Sequence, residues 1–123
     1  IARGPALVAW AAAQGCEATD GVSLAAEAAT GHPVALSAFE RAGRAVGTAI
    51  ASAAAVLDVR VVVVGGGLSL VPQLWPPMRQ AVKEHGRLSY LRDLSVVPAA
   101  LGQRSGLAGA AALFDDRYWS PSA

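Results

Sequence analysis

Val61-Val62-Val63-Val64-Gly65-Gly66-Gly67-Leu68-Ser69 is the stretch on which the fold turns. Four consecutive β-branched residues predict a strand buried on both faces, because stiff branched side chains suit a pleated surface and no polar residue interrupts the run. A strand of that kind belongs to an α/β sheet. The three glycines at its carboxyl end let the chain turn with no Cβ in the way, so a ligand can approach bare backbone. Open α/β sheets bind their ligands at this position. Such a turn is also compatible with a purely structural role, so composition alone leaves both readings standing.

The rest of the composition limits what surrounds that strand. The chain has 123 residues, of which 54% are hydrophobic and 15% charged, which excludes intrinsic disorder and fits one domain. The charged fraction is low against the roughly 25% usual in soluble domains, so part of the surface is expected to be covered. Formal net charge is +1, with Lys and Arg scattered, and no footprint for nucleic acid or anionic lipid is seen. Cys16 is the only cysteine, which rules out an internal disulfide and a thiolate cluster for zinc, and it fits a reducing, cytoplasmic compartment. The most apolar helical stretch, Ala45 to Leu57, falls short of the about 20 residues a membrane span needs. Ile1 is not a start methionine and no signal peptide is seen, so a fragment is expected.

Helix signals precede the valine run. Pro5 suits a first helical turn, Ala6 to Gln14 are helix formers, and Gly15 ends them. Ser23 is expected to cap a short helix from Leu24 to Thr30 that stops at Gly31, and Pro33 opens a long helix to Leu57. On that helix Val34, Phe39, Val46, Ile50 and Val56 supply the larger apolar contacts, opposite Glu40, Arg41 and Arg44. Gly43, Gly47, Ala51 and Ala54 form a smooth stripe that predicts close packing of another backbone. Asp58 is expected to cap the turn before the strand. After the glycines, Pro72, Pro76 and Pro77 are expected to break up a helix that settles from Met78 to His85. Leu94 to Pro98 reads as a second strand, and a last helix runs from about Ser105 through Gly106, Gly109 and Ala110 to Leu113, with a frayed tail from Asp115. A two-stranded sheet is not stable without cover, so further neighbours are expected.

Familiar catalytic patterns fail. Taking Gly65 and Gly67 as the first two glycines of a dinucleotide fingerprint puts the third on Leu70, and no Gly-Lys-Ser/Thr follows to make a phosphate-binding P-loop. There is no Gly-x-Ser-x-Gly elbow. His32 reads as a capping or surface residue, and His85 as a residue favoured by the dipole at a helix C-terminus. Cys16 with His32 and His85 far off in sequence cannot complete a four-ligand structural zinc site. Asp115-Asp116 reads as a solvated end, and Trp10, Trp75 and Trp119 as core or interface anchors. No catalytic residue and no metal ligand is assigned.

Phe39-Glu40-Arg41-Ala42-Gly43 with Gly47-Thr48-Ala49-Ile50-Ala51, then Leu57-Asp58, Val61 to Ser69, Val97-Pro98-Ala99-Ala100-Leu101-Gly102 and Gly106-Leu107-Ala108-Gly109-Ala110-Ala111 together resemble the C-terminal half of the ROK family. That family holds bacterial sugar kinases and sugar-responsive repressors of the actin-like ATPase (ribonuclease H-like) fold. The resemblance implies an α/β, helix-rich C-terminal lobe with few strands, spanning residues 1–123 as a single unit without its N-terminal sugar and phosphate lobe. It implies that Gly65, Gly66, Gly67, Leu68 and Ser69 border ATP or ADP, with Mg²⁺, and that Gly4 and Pro5 lie near the base. Arg3 stands where the family has a small polar residue, and Gln103-Arg104-Ser105 replaces its usual aspartate after Gly102.

The family's Asp-x-Gly-x-Thr strand, its aspartate base and its Glu-x-Gly-His and Cys-x-Cys-Gly-x-x-Gly-Cys zinc segments do not occur in the sequence. A structural zinc is therefore implied only for a parent that carries that loop. The resemblance implies the nucleotide-binding half of an ATP-dependent sugar kinase, glucokinase-like, with a homo-oligomeric parent and a sugar held mainly by the other lobe. The isolated chain is expected to be inactive. A sugar-sensing domain of a ROK-type repressor and a self-contained α/β binding module are the alternatives.

Overall fold

The computed structural model describes residues 3–85 and 94–112. Three helices come first: α1 (Gly4–Ala13), α2 (Gly21–Ala29) and α3 (Pro33–Leu57). Strand β1 (Val61–Val64), helix α4 (Trp75–His85), strand β2 (Ser95–Pro98) and helix α5 (Ser105–Ala112) follow, so the predicted element order holds. Short 3₁₀ turns at Gly67–Leu70 and Pro72–Leu74 carry the chain from β1 to α4.

Local signals account for the helix ends. α1 and α2 both stop at a glycine in the left-handed region, Gly15 at φ +86° and Gly31 at φ +89°. In each case the two residues after the C-cap donate back to the last turn: Gly15 to the Ala12 carbonyl and Cys16 to that of Ala11, Gly31 to Ala28 and His32 to Glu27. This is the Schellman arrangement, which satisfies carbonyls the helix leaves orphaned. Asp58 ends α3 in the left-handed region, its N–H donating to the Ala54 carbonyl at 3.0 Å.

Two expectations are corrected here. The cap of α2 is Asp20, whose Oδ1 accepts from Val22 N at 2.9 Å and Ser23 N at 2.7 Å, while the Ser23 hydroxyl returns the favour to Asp20 N at 3.1 Å. Ser23 is thus the inner half of a capping box rather than the cap. And α4 begins at Trp75, with Pro76 and Pro77 inside its first turn, where the missing N–H groups have no helical partner to lose.

The described residues pack in two clusters. Leu7, Ala11, Leu24, Ala28, Ala38 and Phe39 bind α1, α2 and the first half of α3 together, with Phe39 fully buried. Ile50, Met78, Val82 and Val96 form the second, under which Val62, Val64 and Trp75 pack. Between α3 and α4 the small-residue stripe does what the sequence predicts. A Cβ on Gly43 would lie 2.6 Å from the Leu74 carbonyl oxygen, and one on Gly47 would overlap the Met78 carbonyl. Only glycine lets these helices approach so closely.

The strands pair in parallel, Val61 with Ser95 through Val64 with Pro98, joined by a crossover that contains α4. The expectation that β1 is buried on both faces is not met. Val62 and Val64 face the α3–α4 cluster, but Val61 and Val63 are 58% and 61% exposed. The period of two puts alternate valines on opposite faces, and among the described residues helices cover only one. No helix among the described residues is long and apolar enough to cross a membrane.

Candidate functional site

The turn after β1 is built by its own hydrogen bonds. Gly66 sits at φ +92°, a conformation that L side chains rarely adopt. The Gly66 carbonyl accepts from Ser69 N at 3.1 Å and from the Ser69 hydroxyl at 2.7 Å. Ser69 is buried, and its own carbonyl accepts from Trp75 Nε1 at 2.9 Å. Trp75 thereby ties the turn to the first residue of α4, and the Arg79 guanidinium lies over its ring at 5.2 Å. The indole that sequence reads as an anchor is one.

Beside this turn opens a cleft of about 510 Å³ lined by Gly4, Gly21, Val22, Ala25, Gly67, Leu68, Leu70 and Val71. Of the predicted residues, Gly4, Gly67 and Leu68 meet there although Gly4 lies near the start of the sequence and Gly67 and Leu68 near its middle. Pro5 lines an adjoining cleft of about 380 Å³ that shares Gly4 and Gly21. Gly65 lies behind the turn, where a Cβ would touch Ala99 at 3.5 Å, whereas Cβ atoms on Gly66 or Gly67 would meet open space. The Ser69 hydroxyl is spent inside the turn.

Sequence reasoning missed the contribution of α2. Gly21, Val22 and Ala25 form one wall, with Val22 80% exposed. The only local signal is an apolar residue placed in a capped first turn, where nothing in α2 itself needs it.

The cleft is apolar at its α2 side. Two amides there, Val22 and Ser23, already donate to Asp20, and the Asp20 carboxyl is held below its usual range by the Ser23 backbone N–H first and by the Ser23 hydroxyl next. With those two amides occupied, that end presents mainly the apolar side chains of Val22 and Ala25, and it suits a flat, weakly polar group. At the other side lies glycine backbone, which suits a larger polar or anionic group. Among the described residues no carboxylate lines the cleft, so these residues do not fit a bound Mg²⁺.

The predicted histidines stand apart from the cleft. His32 is the N-cap residue of α3 but makes no side-chain cap bond, and His85 Nδ1 lies 2.9 Å from the Ala81 carbonyl within the last turn of α4. Trp10 packs on the first cluster with Arg41 over its ring at 5.5 Å. Asp115, Asp116, Leu113 and Trp119 lie outside the described residues.

The sequence matches the family model described as ROK family over residues 1–117. Among solved structures the chain is similar to a ROK family glucokinase from Streptomyces griseus in complex with glucose and AMPPNP. That match has a TM-score of 0.72 and 28% identity, covering 89% of this chain and 36% of that one. It is also similar to a protein from Cytophaga hutchinsonii assigned as a sugar kinase, with a TM-score of 0.77 and 25% identity, covering 89% of this chain and 41% of that one. The chain thus spans well under half the length of either solved relative. No curated protein matches it.

Proposed function

Because the chain belongs to the ROK family, we propose that it is the nucleotide-binding half of an ATP-dependent sugar kinase, which passes the γ-phosphoryl group of ATP to a sugar hydroxyl. The observation that carries this reading is the convergence of Gly4, at the start of α1, with Gly67 and Leu68, after β1, in one cleft. The similar glucokinase holds AMPPNP, which supports a nucleotide as the occupant.

Each wall then has a task. Val22, Ala25, Leu68 and Val71 take the base by apolar contact, and the backbone at Gly66 and Gly67 admits the ribose and phosphates without a Cβ in the way. Phosphoryl transfer relies on positioning and charge stabilisation more than on covalent chemistry, so a half-site of this kind contributes by holding the nucleotide still. The Mg²⁺ that ATP chemistry calls for is not held by this cleft, and no step is assigned to it. With no residue that matches the family's base aspartate, the chain by itself binds without turnover.

Titrating a fluorescent ATP analogue onto the chain tests the reading. Saturable binding is expected, weakened by roughly tenfold or more, about 1.4 kcal/mol, in Gly66→Val and in Gly67→Val. Gly67→Val guards against a mere folding defect, since its side chain meets open space. Equal binding by all three proteins, or none by any, overturns the nucleotide assignment.

A further inference from the structure

Away from the cleft, three side chains with different donor atoms converge where α1, α2 and α3 meet. Cys16 follows the glycine stop of α1, His32 follows the glycine stop of α2, and Glu27 sits in the last turns of α2. The two Schellman turns hold both residues by backbone hydrogen bonds, and His32 N donates at 3.0 Å to the carbonyl of Glu27 itself. Cys16 Sγ lies 3.0 Å from Glu27 Oε2, and His32 Nδ1 lies 3.8 Å from the same oxygen. One donor atom from each of the three lies within 4.8 Å of the others.

One feature of this cluster is not explained by packing alone. His32 Nδ1 is buried and has no hydrogen-bond partner, because 3.8 Å is beyond hydrogen-bond reach, although the ring as a whole is 40% exposed. A nitrogen turned inward while its ring could reach water is left with an uncompensated cost. A cation seated among these groups would give the orphaned nitrogen a partner.

We propose that Cys16 Sγ, a Glu27 carboxylate oxygen and His32 Nδ1 form a site for a zinc-class divalent transition metal, with a water as fourth ligand. Mixed sulfur, nitrogen and oxygen donors select a borderline-soft ion over Mg²⁺ or Ca²⁺. Bonds of roughly 2.0–2.3 Å in tetrahedral geometry put neighbouring ligand atoms about 3.3–3.7 Å apart. The 3.0 and 3.8 Å separations from Glu27 Oε2 bracket that range, and with the Cys16 and His32 donor atoms within 4.8 Å of each other, modest rotations of the three side chains would bring all of them onto one ion. On binding, the thiol proton leaves to solvent and the metal–thiolate bond replaces the thiol–carboxylate hydrogen bond. The bound ion would then staple the ends of α1 and α2 to the start of α3. None of its three ligands lines the cleft, so the site stands whether or not the cleft binds a nucleotide.

Cobalt(II) titrated onto the full chain, with zinc as competitor, tests this. The expected result is one ion per chain, a thiolate-to-cobalt charge-transfer band in the near ultraviolet, and intense visible bands of four-coordinate cobalt. Zinc should abolish both. Cys16→Ser should remove the charge-transfer band, and Glu27→Gln and His32→Asn should each weaken binding by more than the roughly 10–100-fold that changes around a metal's ligands cost. The wild-type chain supplies a check that needs no variant: Cys16 is its only thiol, so zinc should slow alkylation at that one sulfur and a chelator should restore it. Absence of the charge-transfer band, its survival in Cys16→Ser, or alkylation indifferent to zinc would each overturn the proposal.

Discussion

At the level of single residues, the glycines divide by what their missing Cβ would meet. Gly47 lies where a methyl group would overlap the Met78 carbonyl, and backbone cannot step aside as a flexible side-chain end can. Gly109 in α5 would meet nothing. Gly47→Ala is therefore expected to destabilise the chain by about 1–3 kcal/mol, and Gly109→Ala to stabilise it by up to about 1 kcal/mol, as read by urea denaturation. The position of Gly47 at helical spacing from Gly43 is legible in the sequence because close helix approach needs a small residue at each turn. A pH effect belongs to Asp20. Its carboxyl is depressed in the fold by the Ser23 N–H, so its contribution is fully present above the ordinary Asp value of about 3.9 and is lost as pH falls through the lower folded value. Asp20→Asn, which keeps an acceptor at the cap, should flatten that acid limb of the thermal midpoint, whereas Asp20→Ala should lower the midpoint at neutral pH as well. A wild-type acid limb unchanged in Asp20→Asn would place its origin elsewhere.

Among the elements, β1 shows where periodicity and composition part company. A run of valines says strand, and the strand is there, but it cannot say how many of its faces receive a helix. Coverage is decided by α3 and α4, which lie on the Val62 and Val64 side. Val63→Thr is accordingly expected to change stability by no more than about 0.5 kcal/mol, as surface substitutions do. Val96→Thr on the paired strand, where the side chain is 9% exposed, should cost about 1–3 kcal/mol through an unpaired buried hydroxyl. Equal losses at the two positions would mean that the outer face is covered in solution. The helix bounds were the most readable part of the chain, because Pro33 starts α3 and Gly15 and Gly31 stop α1 and α2 by local chemistry. The start of α4 was less so, since prolines that break a helix interior are welcome in its first turn.

On the scale of the molecule, the fold is a helix-rich part of the actin-like ATPase architecture of ROK sugar kinases. Half of the cleft could be found from sequence, because Val61 to Ser69 carries its own signal and the resemblance points to Gly4. The other half, Gly21, Val22 and Ala25, and the meeting of Cys16, Glu27 and His32, arise only when α2 folds back between its neighbours. Side chains so placed owe nothing to spacing along the chain. Backbone amide spectra of the isotope-labelled chain, recorded as AMPPNP is added, test the nucleotide cleft most directly. Saturable shifts concentrated at Gly4, Gly21, Val22, Gly67 and Leu68 are expected. Shifts absent throughout, or gathered instead at the separate groove of Arg79, Val82 and Val97, would contradict the assignment.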